Sequence, residues 1–396
     1  MLVNRKIRVS IYIFLIALFT FVLISEGIPE HFGSVDLVQY WAAAKLLISG
    51  KNPYNPDFIT ELERKVVNFG EAVLLWNPPL IFIVIVPFAL VSFSLLVFLW
   101  GFISTALYLT SYKLCSSAYD FNYSIPKVLL FLRSITFLSF YPCALALYYG
   151  QISPLLLLGL SGFIYFALKS KKNKHSFLAG SFLALTLIKP HLLYLFYIAL
   201  LWRTISSRDY NWLTGFLGTT LLFALFPLIF NSDIYHYYLK AALNPPINFQ
   251  TPTVGSWLQG LSGIHRLFIR FLPTLITALG FIAFLLIRRP VISLQDTAAI
   301  IPLSLITSPY GWVYDYVLMF PVIFWIFTRL LADNSKVTSY TFLIPAVMLL
   351  SNISMAVGLT GKGLQNYIWF PFVYVLICGF LWLKKSDACV SPAHRH

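Results

Sequence analysis

Ser34-Val35-Asp36-Leu37-Val38-Gln39-Tyr40-Trp41-Ala42-Ala43-Ala44-Lys45-Leu46-Leu47-Ile48-Ser49-Gly50-Lys51-Asn52-Pro53-Tyr54-Asn55-Pro56 reads as a short helix that ends in a turn. Ser34 is suited to the N-cap and Gly50 to the stop, since a helix commonly ends on a left-handed residue that only glycine adopts cheaply. Val38, Trp41, Ala42 and Leu46 recur at helical spacing and form an apolar face. Asp36 falls in the first turn, where the helix dipole favours a carboxylate. The expectation is an amphipathic helix lying on a membrane surface with an acid at its leading end. The plainer alternative is that Asp36 only caps the helix.

The surroundings of this stretch fix the class. Of 396 residues, 59% are hydrophobic and 11% are charged, and the mean hydropathy is +0.80. A soluble chain carries roughly 25% charged residues. The fold expected is therefore an all-α polytopic membrane protein forming a single domain over residues 1–396, with about twelve spans. These lie near 9–25, 92–113, 127–147, 153–168, 175–188, 190–202, 211–231, 264–287, 293–307, 311–331, 337–359 and 366–383. The 175–202 run is either one long helix or two short ones broken at Lys189-Pro190. Four scattered cysteines without a CxxC pair give neither a disulfide framework nor a zinc site. The first span has no small-residue cleavage site after it and is expected to stay as an anchor.

Positive charge sets the orientation. With both termini in the cytoplasm, 18 of the 28 basic residues fall inside with five acids, and nine basic and nine acidic residues fall outside. That asymmetry accounts for the formal charge of +14 without nucleic acid. It requires the break at Lys189-Pro190. It also requires that residues 74–90 do not cross, so they are read as a re-entrant or surface segment of a first outer loop, residues 26–91. Arg133, near the inner end of a span, is expected to snorkel.

The unusual polar motifs then collect on the outer side. They are Asp36, Asn77-Pro78-Pro79, Tyr148-Tyr149-Gly150-Gln151-Ile152-Ser153, Lys189-Pro190-His191, the 232–263 loop, and Thr307-Ser308-Pro309-Tyr310-Gly311-Trp312-Val313-Tyr314-Asp315-Tyr316. Each has an ordinary explanation: a turn at Gly150-Gln151, snorkelling at Lys189, a packed interfacial histidine at His191, an aromatic belt for the tyrosines and tryptophans. Asp315 lies inside a span, where an acid needs a partner or water. Arg266 and Arg270, four apart at the outer end of a span, are expected to share a face and meet lipid headgroups or one phosphate.

In order and spacing, these motifs resemble glycosyltransferase family 87, within the GT-C superfamily, over residues 30 to 320. The resemblance implies a GT-C-like fold with an active site on the outer face of the cell membrane. It implies a polyprenyl-phosphate-sugar donor, mannose being the best-known sugar, and a hydroxyl acceptor that is lipid-linked or a glycan. The catalytic base of the family corresponds to Asp36. Relatives carry a histidine near the late Ser-Pro motif, where this chain has Tyr314-Asp315, so His191 and His265 are the candidates for that work. Tyr40, Asn77, Tyr149, Gln151, Lys189, Arg266, Arg270, Tyr310, Trp312 and Asp315 complete the candidate substrate-binding set.

The implied chemistry is attack of a hydroxyl on the anomeric carbon with a lipid phosphate leaving. A carboxylate base helps the weak nucleophile. The phosphate needs cationic stabilisation, for which Lys189, Arg266, Arg270 and Lys240 are available. One base and one displacement predict inversion. No metal and no cofactor beyond the donor are expected, because Asp36 lacks a neighbouring carboxylate in sequence. The rival reading is a transporter or flippase of a lipid-linked substrate. It is disfavoured because no internal repeat is visible and the polar groups gather at one face. A purely structural subunit is disfavoured by Asp36 and the outer basic residues.

Overall fold

The computed structural model describes residues 33–67, 73–120, 126–169, 173–332, 339–358 and 363–390. The expected first span, 9–25, lies outside them. Among the described residues all regular structure is helical. Six helices among the described residues are long and apolar enough to cross a membrane: Phe93–Tyr119, Lys127–Tyr149, Leu267–Arg288, Val313–Leu331, Tyr340–Gly358 and Gln365–Lys384. Two bent pairs raise the number to eight. Twelve were expected; the one at 9–25 lies outside the described residues, the two at 175–202 form one bent pair, and two others are short. Ser153–Leu168 and Asp296–Thr307 are only 16 and 12 residues long. At 1.5 Å per residue the longer reaches about 24 Å, short of a hydrocarbon core of about 30 Å.

The 175–202 run takes the broken form. Lys174–Ile188 and Pro190–Ser207 meet at 118°. Pro190 has no N–H to donate and disfavours helical backbone at the residue before it. Lys189 accordingly leaves the helix at φ −138°, ψ 68°. Leu213–Ile229 and Ile234–Ala242 meet similarly at 104°. The Pro79–Leu90 run is a short mixture of 3₁₀ and α turns, packed on the Leu37–Ile48 helix.

Val313–Leu331 is the centre of the bundle, with 89% of its apolar window buried. Phe320 and Phe324 on it interleave with Tyr112, Phe137 and Phe140, with ring centroids 4.6–5.5 Å apart. The surrounding helices approach closely where glycine allows it. A Cβ on Gly180 would stand 1.9 Å from the Trp212 carbonyl, and one on Gly215 1.9 Å from that of Phe177. Small residues serve this purpose in membrane bundles, where lipid offers no hydrophobic driving force between helices.

Two polar clusters mark opposite ends of the central helix. Asp315 stands at its start. Arg329, fourteen residues on and so roughly 21 Å away, pairs with Asp296, which also accepts from Trp325 Nε1 at 2.9 Å. Arg133 does not snorkel. It is buried and pairs through both Nη atoms with Asp120, at 2.6 and 2.9 Å, with its guanidinium 4.8 Å from the Phe324 ring. The reason is that Asp120 closes the preceding helix within reach, and a bidentate pair satisfies the charge locally.

Candidate functional site

The Leu37–Ile48 helix ends as its sequence demands. Gly50 sits at φ +68°, and Gly50 N–H and Lys51 N–H donate to Leu47 O and Leu46 O at 2.9 and 3.0 Å, a Schellman closure. Its other expected features are corrected. The helix is not amphipathic at a surface: every residue from Leu37 to Leu47 is buried except Lys45, which is half-buried. The Pro79–Leu90 run covers it, and Trp41 Nε1 donates to Val91 O at 3.1 Å. Ser34 is not the N-cap. Asp36 holds that position, outside the first turn, and its side chain makes no capping hydrogen bond.

The Asp36 carboxylate looks elsewhere. Its Oδ2 accepts from Gln151 Nε2 at 2.5 Å, and its backbone N–H donates to Tyr149 O at 2.8 Å. Gly150 makes this meeting possible. It lies at φ +69°, and a Cβ there would stand 2.3 Å from Gly33 O and 2.8 Å from Leu37 Cβ. Only glycine lets the turn rest on the start of the helix.

Gln151 is oriented in turn. Its Oε1 accepts from Lys189 Nζ at 3.1 Å and from the Tyr40 hydroxyl at 3.3 Å. Trp100 Nε1 holds its backbone carbonyl at 3.1 Å. With two donors on Oε1, the amide must present its N–H to Asp36. Lys189 Nζ also pairs with Asp315 Oδ1 at 2.8 Å, an atom that accepts from Ser153 Oγ at 2.5 Å. Asp315 Oδ2 accepts from Trp312 N–H at 3.1 Å and closes the start of the central helix. The Tyr314 ring lies 5.3 Å from Lys189 Nζ and 5.5 Å from the Tyr149 ring. Five of the expected residues, Asp36, Tyr40, Gln151, Lys189 and Asp315, therefore join in one buried network drawn from four separate segments.

The others divide. Asn77 is a brace: its Nδ2 donates to Ile188 O at 3.1 Å and satisfies the carbonyl freed by the helix break, while its own carbonyl accepts from the Tyr54 hydroxyl at 2.8 Å. His191, half-buried beyond the break, lies within electrostatic reach of Asp315 and Lys189. Trp312 stacks on Tyr314 at 6.1 Å and meets Phe249 at 6.2 Å. Tyr310 lies against Arg270. His265 and Arg266 are exposed, and the network does not include them. Arg266 and Arg270 do not share a helical face, because the helix starts only at Leu267 and Arg266 is its extended N-cap. Two residues of the network were quoted in motifs without a role. Ser153 stands two positions after Gln151, at the start of its helix, and Tyr314 adjoins Asp315.

Electrostatics also differ from expectation. Burial, the largest influence, pushes the Asp36 carboxyl up from 3.8 to about 6, against the hydrogen bond from Gln151 and the charge of Lys189. Tyr314 further favours the ionised form and Asp315 opposes it. Desolvation outweighs the helix dipole because the helix start is enclosed. The result is a carboxylate close to the pKa that suits a general base at neutral pH. Gln151 and Tyr314 both hydrogen-bond the carboxyl and hold it in place. Among the described residues, no three His, Cys, Asp or Glu side chains converge on one point.

A model of glycosyltransferase family 87 matches residues 75–309. The matched stretch covers more than half of the chain and contains Asn77, Gln151, Lys189 and Ser308-Pro309. Asp315 lies shortly after its end, and Asp36 lies well before its start. No curated protein and no solved structure matches the chain.

Proposed function

The chain belongs to glycosyltransferase family 87 and is a membrane glycosyltransferase, and we propose that it moves a sugar, mannose in the first instance, from a polyprenyl-phosphate donor to a hydroxyl of a lipid-linked or glycan acceptor. The observation that carries this reading is the buried Asp36 carboxylate, aimed by Gln151 and backed by Lys189 and Asp315. Asp36 is the base that takes the acceptor proton as the oxygen attacks the anomeric carbon. The bond from that carbon to the phosphate oxygen breaks, and the lipid phosphate leaves with the electron pair. A single displacement inverts the centre, so a β-linked donor gives an α product.

Lys189 is a positioning residue in this scheme rather than a phosphate ligand. Its ammonium is already paired with Asp315 and hydrogen-bonded to Gln151. The basic asymmetry of the loops supports an active site on the outer face, both termini in the cytoplasm, and the Pro79–Leu90 run as part of the outer loop. That run has 12 residues, too few to cross on its own. No step requires a metal: the phosphate is already a good leaving group, and the base is supplied by the chain.

The test is transfer from radiolabelled polyprenyl-phosphate-mannose into total lipid extract by membranes containing the enzyme. A new labelled product, sensitive to α-mannosidase, is expected. Label that appears only with another polyprenyl-phosphate sugar would correct the sugar. Transfer only from a nucleotide sugar would overturn the donor class.

A further inference from the structure

Among the described residues, Arg270 is the largest charged side chain with no exposed surface. A guanidinium stays protonated at any physiological pH, and a buried one requires compensation. Arg133 and Arg329 obtain it from Asp120 and Asp296. Among the described residues, no carboxylate pairs with Arg270. Its Nη2 donates to Phe249 O, one face rests 4.6 Å from the Tyr310 ring, and its Nε and Nη1 have no hydrogen-bond partner. The Tyr310 hydroxyl beside it is within reach of the guanidinium and interacts with it. Two guanidinium nitrogens are thus buried without an acceptor on a positive charge that no carboxylate offsets.

The packing keeps Arg270 there. Gly255 of the Val254–Ser262 helix rests on its backbone so closely that a Cβ would stand 2.1 Å from Arg270 O. On the other side, Trp312 spans from Phe249 to Tyr314, so one aromatic layer separates the guanidinium from the Lys189–Asp315 pair. Phe249, whose carbonyl holds Nη2, is half exposed and borders a cleft of about 180 Å³ shared with Ser256, Trp257, Gln259 and His265. Around it, Leu258, Leu261, Phe268 and Phe271 are exposed.

We propose that Arg270 and Tyr310 form the seat for the phosphate of the lipid donor, with the polyprenyl chain lying along the exposed apolar surface of the Val254–Ser262 and Leu267–Arg288 helices. This rests on the reading of the chain as a polyprenyl-phosphate-dependent transferase and names the cation that the reaction needs. A phosphate supplies what the cluster lacks: charge, and several acceptor oxygens that a guanidinium can meet with two parallel N–H groups. Displacement of the Phe249 carbonyl frees Nη2 and opens the buried donors to the cleft. In the reaction the same donors receive the charge that develops on the leaving phosphate oxygen.

The experiment measures binding, independently of transfer. Full-length enzyme in detergent micelles is titrated with radiolabelled polyprenyl phosphate, with free polyprenol and phosphatidylglycerol as competitors. Arg270→Gln is expected to weaken polyprenyl phosphate binding by about tenfold to a hundredfold, since hydrogen bonds to charged groups are the strong ones. Arg270→Lys is expected to recover part of it, and polyprenol should bind both variants as it binds the wild type. Wild-type affinity in Arg270→Gln overturns the proposal. So does equal loss of polyprenol and polyprenyl phosphate, which would make Arg270 structural. Phosphatidylglycerol competing as well as polyprenyl phosphate would assign the site to bulk lipid headgroups and overturn it too. A wild type that binds polyprenyl phosphate through Arg270 but transfers no sugar supports the seat and removes the transfer reaction proposed above.

Discussion

Asp36→Asn separates catalysis from architecture in one substitution. Asparagine keeps the shape, and its Oδ1 can still accept from Gln151 Nε2, so the network closes as before. What it lacks is the capacity to take a proton. General-base contributions run to roughly 10²–10⁴-fold, so turnover should fall at least about a hundredfold. Stability should move the opposite way. The Asp36 carboxyl stands at about 6 instead of 3.8 because burial penalises its charge, and each pH unit corresponds to about 1.4 kcal/mol. An acid with a raised folded-state pKa binds more protons folded than unfolded, so wild-type stability falls as pH rises from about 4 to about 6. At pH 7 the charge costs about 3 kcal/mol, which the asparagine avoids; at pH 5 roughly half of this difference remains. The assay is sugar transfer across pH 5–8, with thermal unfolding in detergent at pH 7 and pH 5. Wild-type turnover should decline below about pH 6, and the variant should be nearly inactive yet more stable at pH 7 than at pH 5 relative to wild type. Turnover within a few-fold of wild type would refute the role of Asp36 and send the search for the base to Asp315. An inactive variant that is also much less stable would make Asp36 structural.

Gly150→Ala should destabilise the protein by more than the 1–2 kcal/mol of a left-handed alanine, because its Cβ also meets Gly33 O at 2.3 Å; lowered unfolding temperature together with lost transfer checks it. Lys189→Met leaves Asp315 buried without its cation and should cost about 3–5 kcal/mol, while the double variant Lys189→Met/Asp315→Asn should regain much of the stability and little of the activity. Single cysteines at position 57 and at position 289 on a cysteine-free background should label from outside and from inside respectively; labelling of position 289 in intact cells would invert the topology.

The sequence made the class and most helices legible because apolar length and charge asymmetry are local properties. The stop at Gly50 and the break at Lys189-Pro190 were readable for the same reason: each depends on the backbone chemistry of one or two residues. The Leu37–Ile48 helix was misread at its surface. Alanines, Gln39 and Tyr40 look indifferent to water in sequence, and only the covering Pro79–Leu90 run makes them interior. Arg133 was misplaced because its partner Asp120 is thirteen residues away, beyond any helical spacing rule. The residues that meet in the buried network stand in motifs visible in the sequence, but their contacts do not follow from it. Asn77 and Gln151 both carry an amide, yet one braces a carbonyl and the other aims a carboxylate. That difference depends on what lies more than a hundred residues away in sequence.

The breaks in the helices and the site are the same feature. A membrane helix satisfies its own backbone, so its side chains are the only chemistry that it offers, and they point sideways into lipid or neighbours. Where a helix starts or breaks, backbone groups are freed and side chains can converge. Asp36 precedes a helix, Gln151 follows the left-handed Gly150, Ser153 opens a helix, Lys189 stands at a 118° bend, and Asp315 closes the start of the central one. Each of those interruptions is costly alone: an unpaired carbonyl at Ile188, a buried ammonium, a buried acid. Together they compensate one another through Asn77, Gln151 and the Lys189–Asp315 pair. The one charge left over is that of Asp36, since the core of the network holds two carboxylates and one ammonium. Burial of that charge, with a smaller push from Asp315, raises the Asp36 pKa against the pull of Gln151, Lys189 and Tyr314, and this is what would suit the proposed base to its task.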